Sequence, residues 1–253
     1  MEIKRKPFQG VLNIVRFNRL KYLLSGFLIV FLLSINSLIP PYFQFISLLM
    51  VIVIGFFITF SLLISYLIYD CSSLYQLKWI PDLNSKDVLN INAGFDEVSG
   101  ILQGKSPSLK LTISDFFNLQ KHTERAIRRA RAIYPVLPNT IAVDTHHLPF
   151  SDHSFDYVIA FFSAHEIRDK NERVTFFKEI NRVLKPGGKI YVTEHLRDVA
   201  NFIPYSIGFF HFYPKNTWIQ TFTQSNLKID EEVKITPFVT TFILSKDGDI
   251  FKN

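Results

Sequence analysis

The chain has 253 residues, a formal net charge of +6, 48% hydrophobic residues and a single cysteine. This length allows one domain of ordinary size and an additional segment, and one cysteine excludes an internal disulfide, which is typical of a reducing compartment. Much of the positive charge lies near the N-terminus, which favours anionic lipid headgroups rather than nucleic acid as its partner.

The first predicted elements are two membrane-spanning helices. No charged residue occurs between Lys21 and Asp70, where Leu, Ile, Phe and Val dominate. A bilayer core requires about 20 apolar residues per helix, and the Pro-Pro pair at 40–41 favours a turn, so we predict spans at 22–39 and 42–69. The alternatives are a hairpin of buried core helices, which would show a polar face, and a signal peptide, which has a shorter apolar region.

Basic residues precede the first predicted span and are opposed by Glu2 alone; they are Lys4, Arg5, Lys6, Arg16, Arg19 and Lys21. This asymmetry retains the N-terminus in the cytoplasm, and two spans return the chain to the same side. The predicted location is therefore a membrane, with both termini and the following domain cytoplasmic. One helical side of the leader carries apolar residues, which suggests an interfacial helix; these are Phe8, Val11, Leu12 and Val15.

Beyond the spans, short apolar runs alternate with helical patterns. Strands are predicted at 87–93, 109–115, 139–144, 155–163, 187–195, 228–237 and 238–246, and helices at 96–104, 121–134 and 170–184. This alternation predicts an α/β fold with a doubly wound, mostly parallel seven-stranded sheet and an antiparallel edge hairpin, preceded by the transmembrane hairpin. The predicted division is a basic leader (1–21), two transmembrane helices (22–69), a juxtamembrane linker (70–85) and the α/β domain (86–253).

In an open parallel sheet, ligands bind beyond the carboxyl ends of the strands. Asp115 ends the second predicted strand, where an acid can accept hydrogen bonds from ribose hydroxyls. Asp144 ends the third, where an acid can accept from an adenine amino group. The loop after the first strand, NINAGFDE, has the outline of a nucleotide-binding turn but only one glycine, Gly94. Each signal is weak alone, because Asp is common in loops and at helix N-caps, and their order along the chain is what indicates a site.

The motifs VDTHHLPFSDHSFDYV and RVLKPGG resemble those of the class I, Rossmann-like methyltransferases that use S-adenosylmethionine. The resemblance covers about residues 86–246 and is most specific in Ser154–Asp156 and Arg182–Gly188, where the proline and two glycines end a helix before a strand. It implies that 86–253 is a Rossmann-like methyltransferase domain and that S-adenosylmethionine is the cofactor.

The resemblance also implies roles for the residues that follow the second and third strands. Asp115 resembles the acid that holds the cofactor ribose, with Phe116 beside it. Asp144 resembles the residue that reads the adenine, with Thr145 beside it.

The first loop departs from the family pattern. Asn90 stands at the usual acid, and Asn92 and Asp96 stand at the first and third glycines, whereas Gly94 keeps the second. Asn adopts a left-handed backbone more readily than other non-glycine residues, so Asn92 is compatible with the turn. The resemblance thus assigns Asn90, Asn92 and Gly94 to cofactor binding, provided that the side chains of Asn92 and Phe95 leave the crevice open.

Methyl transfer is a displacement in which an enzyme aligns donor and acceptor and removes water. A base is needed only when the acceptor is a hydroxyl or an acidic carbon. His165 is the predicted base, with Glu166 or His195 orienting it or the substrate, because these residues follow the fourth and fifth strands. The alternative is that they are polar loop residues, and that His195 and Arg168 fix loops through hydrogen bonds.

Three further features have simpler interpretations. His146, His147 and His153 lack regular metal-ligand spacing, so no metal is predicted. The helix predicted at 121–134 carries four arginines, which most simply form a solvated face and otherwise a surface turned toward the bilayer. They are Arg125, Arg128, Arg129 and Arg131. The aromatic run IGFFHFYPKNTW is either core packing or an acceptor pocket or membrane-facing lid.

The leading hypothesis is a membrane-anchored methyltransferase acting on a hydrophobic small molecule, such as a quinone, pigment or lipid precursor. Its predicted partners are that substrate and membrane lipids, with no nucleic acid and no metal. One alternative is a catalytically degenerate scaffold or partner subunit at the membrane. Another is a nicotinamide-dependent enzyme, for which NINAGFDE is a poorer loop.

Overall fold

The computed structural model describes residues 5–121 and 125–248. The described chain begins with three helices, α1 (Gln9–Phe17), α2 (Arg19–Ile35) and α3 (Pro41–Tyr66). Pro41 occupies the first turn of α3, where its missing N–H leaves no helical hydrogen bond unmade. A short 3₁₀ turn, Asn36–Leu38, joins α2 to α3, and the two helices pack against each other as a hairpin.

Helices α2 and α3 are long and apolar enough to cross a membrane. Counted with the adjoining turns, the two candidate segments are Arg19–Leu38 and Pro41–Gln76. Only 0% and 6% of their most apolar windows are buried inside the protein. Their apolar side chains therefore face outward, which differs from the packing of a hairpin of core helices.

The chain after the hairpin forms a seven-stranded sheet; its strands are β1 (Asp87–Asn92), β2 (Lys110–Asp115), β3 (Ile141–Ala142), β4 (Phe155–Phe161), β5 (Leu184–Glu194), β6 (Leu227–Thr236) and β7 (Val239–Lys246). The order is β3-β2-β1-β4-β5-β7-β6. The first five strands in this order pair in parallel, and β7 pairs antiparallel with both β5 and β6. The predicted fold class, a mostly parallel α/β sheet with an antiparallel edge hairpin, is confirmed.

Five helices accompany the sheet: α4 (Ser99–Lys105), α5 (Arg125–Ile133), α6 (Lys170–Val183), α7 (Val199–Tyr205) and α8 (Lys215–Gln224). The helix predicted at 121–134 corresponds to α5, and its residues 122–124 lie outside the described part. The strand predicted at 139–144 is reduced to the two residues of β3. Helices α7 and α8 were not predicted from the sequence, although the buried residues of α8, Trp218, Thr221 and Phe222, follow the helical spacing i, i+3, i+4.

Apolar side chains cover both faces of the sheet. One face packs against α6 and α8, where Phe177, Trp218 and Phe222 are fully or nearly fully buried. The other face packs against α4 and the segment 70–85, in which Leu74 and Leu77 are fully buried. The predicted juxtamembrane linker is therefore a packed layer of the domain, which fixes the hairpin against the sheet.

Candidate active site

The loop after β1 is shaped by hydrogen bonds of its own side chains. Asn92 Nδ2 donates to the Ser114 carbonyl at 3.0 Å, and Asn92 Oδ1 accepts from the Gly94 N–H at 3.1 Å. Gly94 has φ +94°, and a Cβ there would lie 2.8 Å from the Phe117 ring. The loop therefore requires glycine at 94, both for the backbone conformation and for the close contact.

Asp96 begins the turn into α4. Its Oδ1 accepts hydrogen bonds from the backbone N–H groups of Val98 and Ser99, both at 3.0 Å, and from Asn90 Nδ2 at 3.1 Å. Among the described residues, Asp96 Oδ2 is one of the few buried side-chain atoms with no hydrogen-bond partner. A buried carboxylate oxygen of this kind is costly unless a ligand satisfies it.

Asp115, at the end of β2, is 6% exposed. Its Oδ1 accepts from the Phe117 N–H at 2.8 Å, and its Oδ2 forms a hydrogen-bonded ion pair with Arg131 of α5. The Arg131 side chain is one-third exposed. A ligand that donates hydrogen bonds to Asp115 would therefore replace a partner that can move into solvent.

These residues line a cavity of about 340 Å³ at the carboxyl ends of β1 and β2, named here the loop cavity. Its wall includes Asn92, Gly94, Asp96, Asp115 and Thr140. Asn92 is bonded to β2 and leaves the cavity open, while Phe95 packs against Tyr134 and Phe17, with ring centroids 5.1 Å and 5.4 Å away. Like Asp96 Oδ2, Thr140 Oγ1 is buried without a partner among the described residues.

The remaining predicted cofactor residues lie elsewhere. The Asp144 side chain is 65% exposed and accepts from the His146 N–H at 2.7 Å. Thr145 is buried and donates to Glu172, and Phe116 packs in the core 5.3 Å from Phe176. Asn90 lies behind the loop, where it donates to Ser99 at 2.8 Å.

A second cavity, of about 430 Å³, lies between helices α1–α3 and the carboxyl ends of β4 and β5; it is named here the histidine cavity. Its wall is mostly apolar and aromatic, with Phe57 and Ile58 contributed by α3. Three histidines lie in the wall, namely His165, His195 and His211. Phe95 and Glu97 line both cavities, so the two cavities share a wall.

His165 is held between two carboxylates. Its Nδ1 lies 2.6 Å from Glu194 Oε2, its backbone N–H donates to Glu194 Oε1 at 3.1 Å, and its Nε2 lies 3.4 Å from Glu166 Oε1. Burial acts to lower the pKa of His165, but Glu194 and Glu166 outweigh it and raise the pKa to about 10. His165 is therefore protonated at neutral pH, and its predicted role as base requires that it first lose this proton.

Glu166 is 8% exposed and also contacts His211, whose Nε2 lies 3.3 Å from Glu166 Oε1. Burial acts to raise the pKa of Glu166, but hydrogen bonds and charge interactions with both histidines lower it well below its usual range. The carboxylate of Glu166 is thus ionised beside the histidine cavity.

His195 differs from His165 in its neighbours. Its ring is stacked between Phe162 and Phe212, with centroids 4.8 Å and 4.9 Å away. Its Nδ1 lies 2.8 Å from the Phe238 carbonyl, to which it can only donate, and its Nε2 lies 2.7 Å from the Tyr69 hydroxyl. Burial lowers the pKa of His195 to about 4, so its ring is neutral and forms part of the cavity wall.

Several residues at these cavities were not singled out as site residues from the sequence. Glu97, in the shared wall, accepts a hydrogen bond from Tyr75 at 2.8 Å, and burial raises its pKa. His211 comes from the aromatic run, which therefore contributes to the cavity wall as well as to the core. Arg168 donates to the His211 carbonyl at 2.7 Å. This bond agrees with the alternative prediction that Arg168 fixes a loop through hydrogen bonds.

The prediction of a solvated face is wrong for part of α5. Arg131 pairs with Asp115, and Arg129 Nη1 donates to the Phe17 carbonyl at 2.7 Å. Arg131 therefore faces the loop cavity and Arg129 faces α1, and both arginines make tertiary contacts. His146, His147 and His153 line neither the loop cavity nor the histidine cavity.

Residues 115–192 match the family model described as "Methyltransferase domain". The chain is 31% identical over 143 residues to a demethylmenaquinone methyltransferase of Thermotoga maritima, covering 56% of this chain and 57% of that protein. It is 30% identical over 147 residues to a ubiquinone/menaquinone biosynthesis C-methyltransferase of Rickettsia felis, covering 51% and 55%. The chain thus spans about half the length of these curated relatives.

Among solved structures, the chain is similar to a SAM-dependent methyltransferase from Aquifex aeolicus, with a TM-score of 0.48 and 15% identity over 67% of this chain and 86% of that one. The resemblance to methyltransferases that the motifs predicted is confirmed by the family match, which begins at Asp115 and ends within β5.

Proposed function

We propose that this protein is a membrane-anchored S-adenosylmethionine-dependent methyltransferase whose acceptor is a hydrophobic small molecule of the quinone-precursor class. The observation that carries the proposal is the shared wall of Phe95 and Glu97. On one side lies a cavity with carboxylates at the strand ends, and on the other an apolar cavity bounded by the helical hairpin. Donor and acceptor bound in these two cavities would be neighbours, as methyl transfer requires.

The loop cavity fits the proposed cofactor. Asp115 offers a buried carboxylate for ribose hydroxyls, and the Asn92–Gly94 turn lets a ligand approach the backbone. The unpartnered Oδ2 of Asp96 suits the cationic ammonium or sulfonium part. When bound, S-adenosylmethionine supplies an electrophilic methyl group. Asp144 and Thr145 do not line the loop cavity, so their role at the adenine is proposed from the resemblance alone. The assignment of all these residues is part of the proposal.

The histidine cavity fits an aromatic acceptor with an apolar tail. Side chains of α3 and the aromatic pair Phe162 and Phe212 provide the apolar wall, and the two curated relatives described above are named for methylation of quinones. At the polar side, protonated His165 can donate a hydrogen bond to an acceptor oxygen. The ionised carboxylate of Glu166 holds the His165 ring in position from 3.4 Å. His195 holds the aromatic wall in position through Tyr69 and Phe238.

The exposed apolar helices support the proposed anchor. Helices α2 and α3 lack any charged residue after Lys21, and their surfaces are not covered by the rest of the protein. Because a basic leader favours the cytoplasmic side of the membrane, we place both termini and the α/β domain in the cytoplasm. Anchoring confines the histidine cavity to the leaflet in which apolar acceptors dissolve, and this raises their effective concentration.

The second candidate function is an inert scaffold at the membrane. Two observations favour it: Asn90, Asn92 and Asp96 replace the residues usual in the first loop, and Arg131 already satisfies Asp115. A cofactor-binding measurement separates the two functions.

The test is calorimetric titration of the full-length protein in detergent with S-adenosylmethionine. We expect a micromolar Kd, and about ten-fold weaker binding by Asp96→Asn, equivalent to about 1.4 kcal/mol. The amide oxygen of Asn can still accept from the Val98 and Ser99 N–H groups, but the charge is removed. Asp82→Asn is the matched control, since Asp82 Oδ1 also accepts from a backbone N–H two residues on but lies outside both cavities.

Absence of binding heat at millimolar cofactor would support the scaffold. If binding is observed, membranes incubated with methyl-labelled cofactor and a demethylated quinone should yield labelled product in the organic phase.

A further inference from the structure

Three ligand atoms of metal-binding type converge beside the histidine cavity. His165, Glu166 and His211 each offer one ligand atom, and these three atoms all lie within 4.8 Å of one another. Their side chains are 12%, 8% and 26% exposed. They come from two separate turns, Ala164–Glu166 after β4 and Ser206–His211 after α7, so only the folded chain brings them together.

Two separations within this group match those between ligands of a tetrahedral ion. Glu166 Oε1 lies 3.4 Å from His165 Nε2 and 3.3 Å from His211 Nε2. Nitrogen and oxygen ligands lie about 2.0–2.1 Å from zinc, so two ligands of a tetrahedral site are about 3.3–3.4 Å apart. The set of two histidines and one glutamate leaves a fourth position for water or substrate, as in catalytic zinc sites.

The surroundings of His165 provide an independent indication. A histidine that binds a metal through one ring nitrogen usually donates the other N–H to a carboxylate, which fixes the ring and its tautomer. His165 Nδ1 lies 2.6 Å from Oε2 of Glu194, a side chain with no exposed surface. This arrangement directs Nε2 toward Glu166 and His211.

The charges at the site also suit a cation. Two buried carboxylates, Glu166 and Glu194, lie 3.4 Å and 2.6 Å from the ring nitrogens of His165, and a divalent ion bound there would balance their negative charge. Arg168 Nη2 lies 2.7 Å from His211 Nε2 and is the neighbour that an ion would displace. The Arg168 side chain is exposed and can move into solvent.

We infer that His165, Glu166 and His211 bind a divalent ion of the zinc type, with the fourth coordination position directed at the histidine cavity. His165 and His211 line that cavity, so a hydroxyl of the acceptor can become the fourth ligand. A metal ion lowers the pKa of a bound hydroxyl, and the released proton passes to solvent. This use of the ion rests on the proposed function, whereas ion binding itself does not.

The test is a titration of the full-length, chelator-stripped protein with Co²⁺, whose visible absorption reports four-coordinate binding. We expect one equivalent to bind with intense visible bands, and Zn²⁺ to displace it. Glu166→Gln, which is nearly isosteric, and His211→Ala should each weaken binding at least ten-fold. His147→Ala is the control, because His147 is a 76% exposed histidine outside both cavities.

Failure of the wild-type protein to bind Co²⁺ at 100 μM, or equal binding by Glu166→Gln and the wild type, would overturn the inference. Thermal unfolding of each variant identifies one that has lost its fold, and Glu166→Gln remains the deciding comparison. Calorimetry with S-adenosylmethionine on the same metal-free protein keeps the two proposals apart: cofactor binding without metal binding contradicts only the metal site.

Discussion

Single residues show how strongly the neighbours of a buried side chain decide its chemistry at this site. His165 and His195 are both buried histidines at the carboxyl ends of neighbouring strands, yet the pKa of one is raised to about 10 and that of the other lowered to about 4. The difference follows from their partners. His165 faces two carboxylates, whereas His195 faces two aromatic rings, a backbone carbonyl and a tyrosine hydroxyl.

The lowered pKa of His195 predicts acid sensitivity. In the unfolded chain His195 titrates near its ordinary pKa of about 6.5, so between pH 6.5 and pH 4 the unfolded state binds more protons. Its contribution to stability is therefore complete above about pH 6.5 and is lost as the pH falls toward 4, by about 3 kcal/mol in total. Urea unfolding of the protein at several pH values, followed by fluorescence of buried Trp218, measures this loss.

His195→Gln serves as the comparison, because glutamine can keep a hydrogen bond but does not titrate. We expect this variant to be less stable at pH 7 but to lose less stability on acidification. An identical pH dependence in the two proteins would contradict the prediction.

Among the elements, α1 has a role that its sequence did not reveal. Tyr134 donates to Asn13 at 2.8 Å, and Arg129 donates to the Phe17 carbonyl, which ties α1 to the C-terminal part of α5 beside the loop cavity that Tyr134 lines. Asp70 accepts from the backbone N–H groups of Gly10 and Val11, both at 2.8 Å. A carboxylate from the end of the second span therefore caps the first turn of α1.

Removal of this cap should loosen α1. For Asp70→Ala we expect a cost of about 1 kcal/mol in α1 docking, equivalent to about a five-fold rise in the open population. Limited trypsin digestion in detergent, with cleavage at Arg16 followed by mass spectrometry, measures this population. Asp247→Ala, at an exposed carboxylate far from α1 in the chain, should cleave like the wild type; equal rates in all three proteins would argue against the capping role.

The elements also show where sequence reasoning succeeds. Alternating apolar runs and the RVLKPGG motif located β1, β2, β4, β5, β6, β7 and α6, because their period and turn residues are local signals. Gly94 and Asp115 were singled out from their positions at strand ends, and Asn92 from the family resemblance. All three line the loop cavity, and their role in cofactor binding stays a prediction.

What the sequence did not indicate depends on tertiary contacts. The bond between Tyr134 and Asn13 joins residues 121 positions apart, and no local pattern encodes it. His211 approaches Glu166 only because α7 and its following turn fold back over the strand ends. Arg131 looked like a surface residue, since helical spacing alone cannot show that Asp115 lies opposite it.

At the scale of the whole molecule, the orientation of the hairpin decides which compartment the sites face. Cys71 is the single cysteine of the chain and is exposed just after α3. The predicted topology places it on the cytoplasmic side, and the Asn36–Leu38 turn between the spans on the opposite side.

A membrane-impermeant maleimide tests this topology. We expect Cys71 to react in inverted membrane vesicles and to be protected in intact cells. In the paired variant Cys71→Ser with Ser37→Cys, the pattern should reverse. Labelling of Cys71 from outside intact cells would overturn the topology, and labelling of both positions from one side would show that the hairpin does not span the bilayer.

The wall of the histidine cavity is formed by α3 on one side and by strand ends on the other, and this has a consequence for how an acceptor enters and leaves. An apolar acceptor would enter the histidine cavity laterally from its membrane leaflet and would return to that leaflet without passing through water. Turnover would then depend on membrane fluidity and on how the acceptor partitions between lipid and cavity. The turnover rate measured in detergent without lipid would consequently be lower than the rate in the membrane, even if all side chains of the site kept their positions.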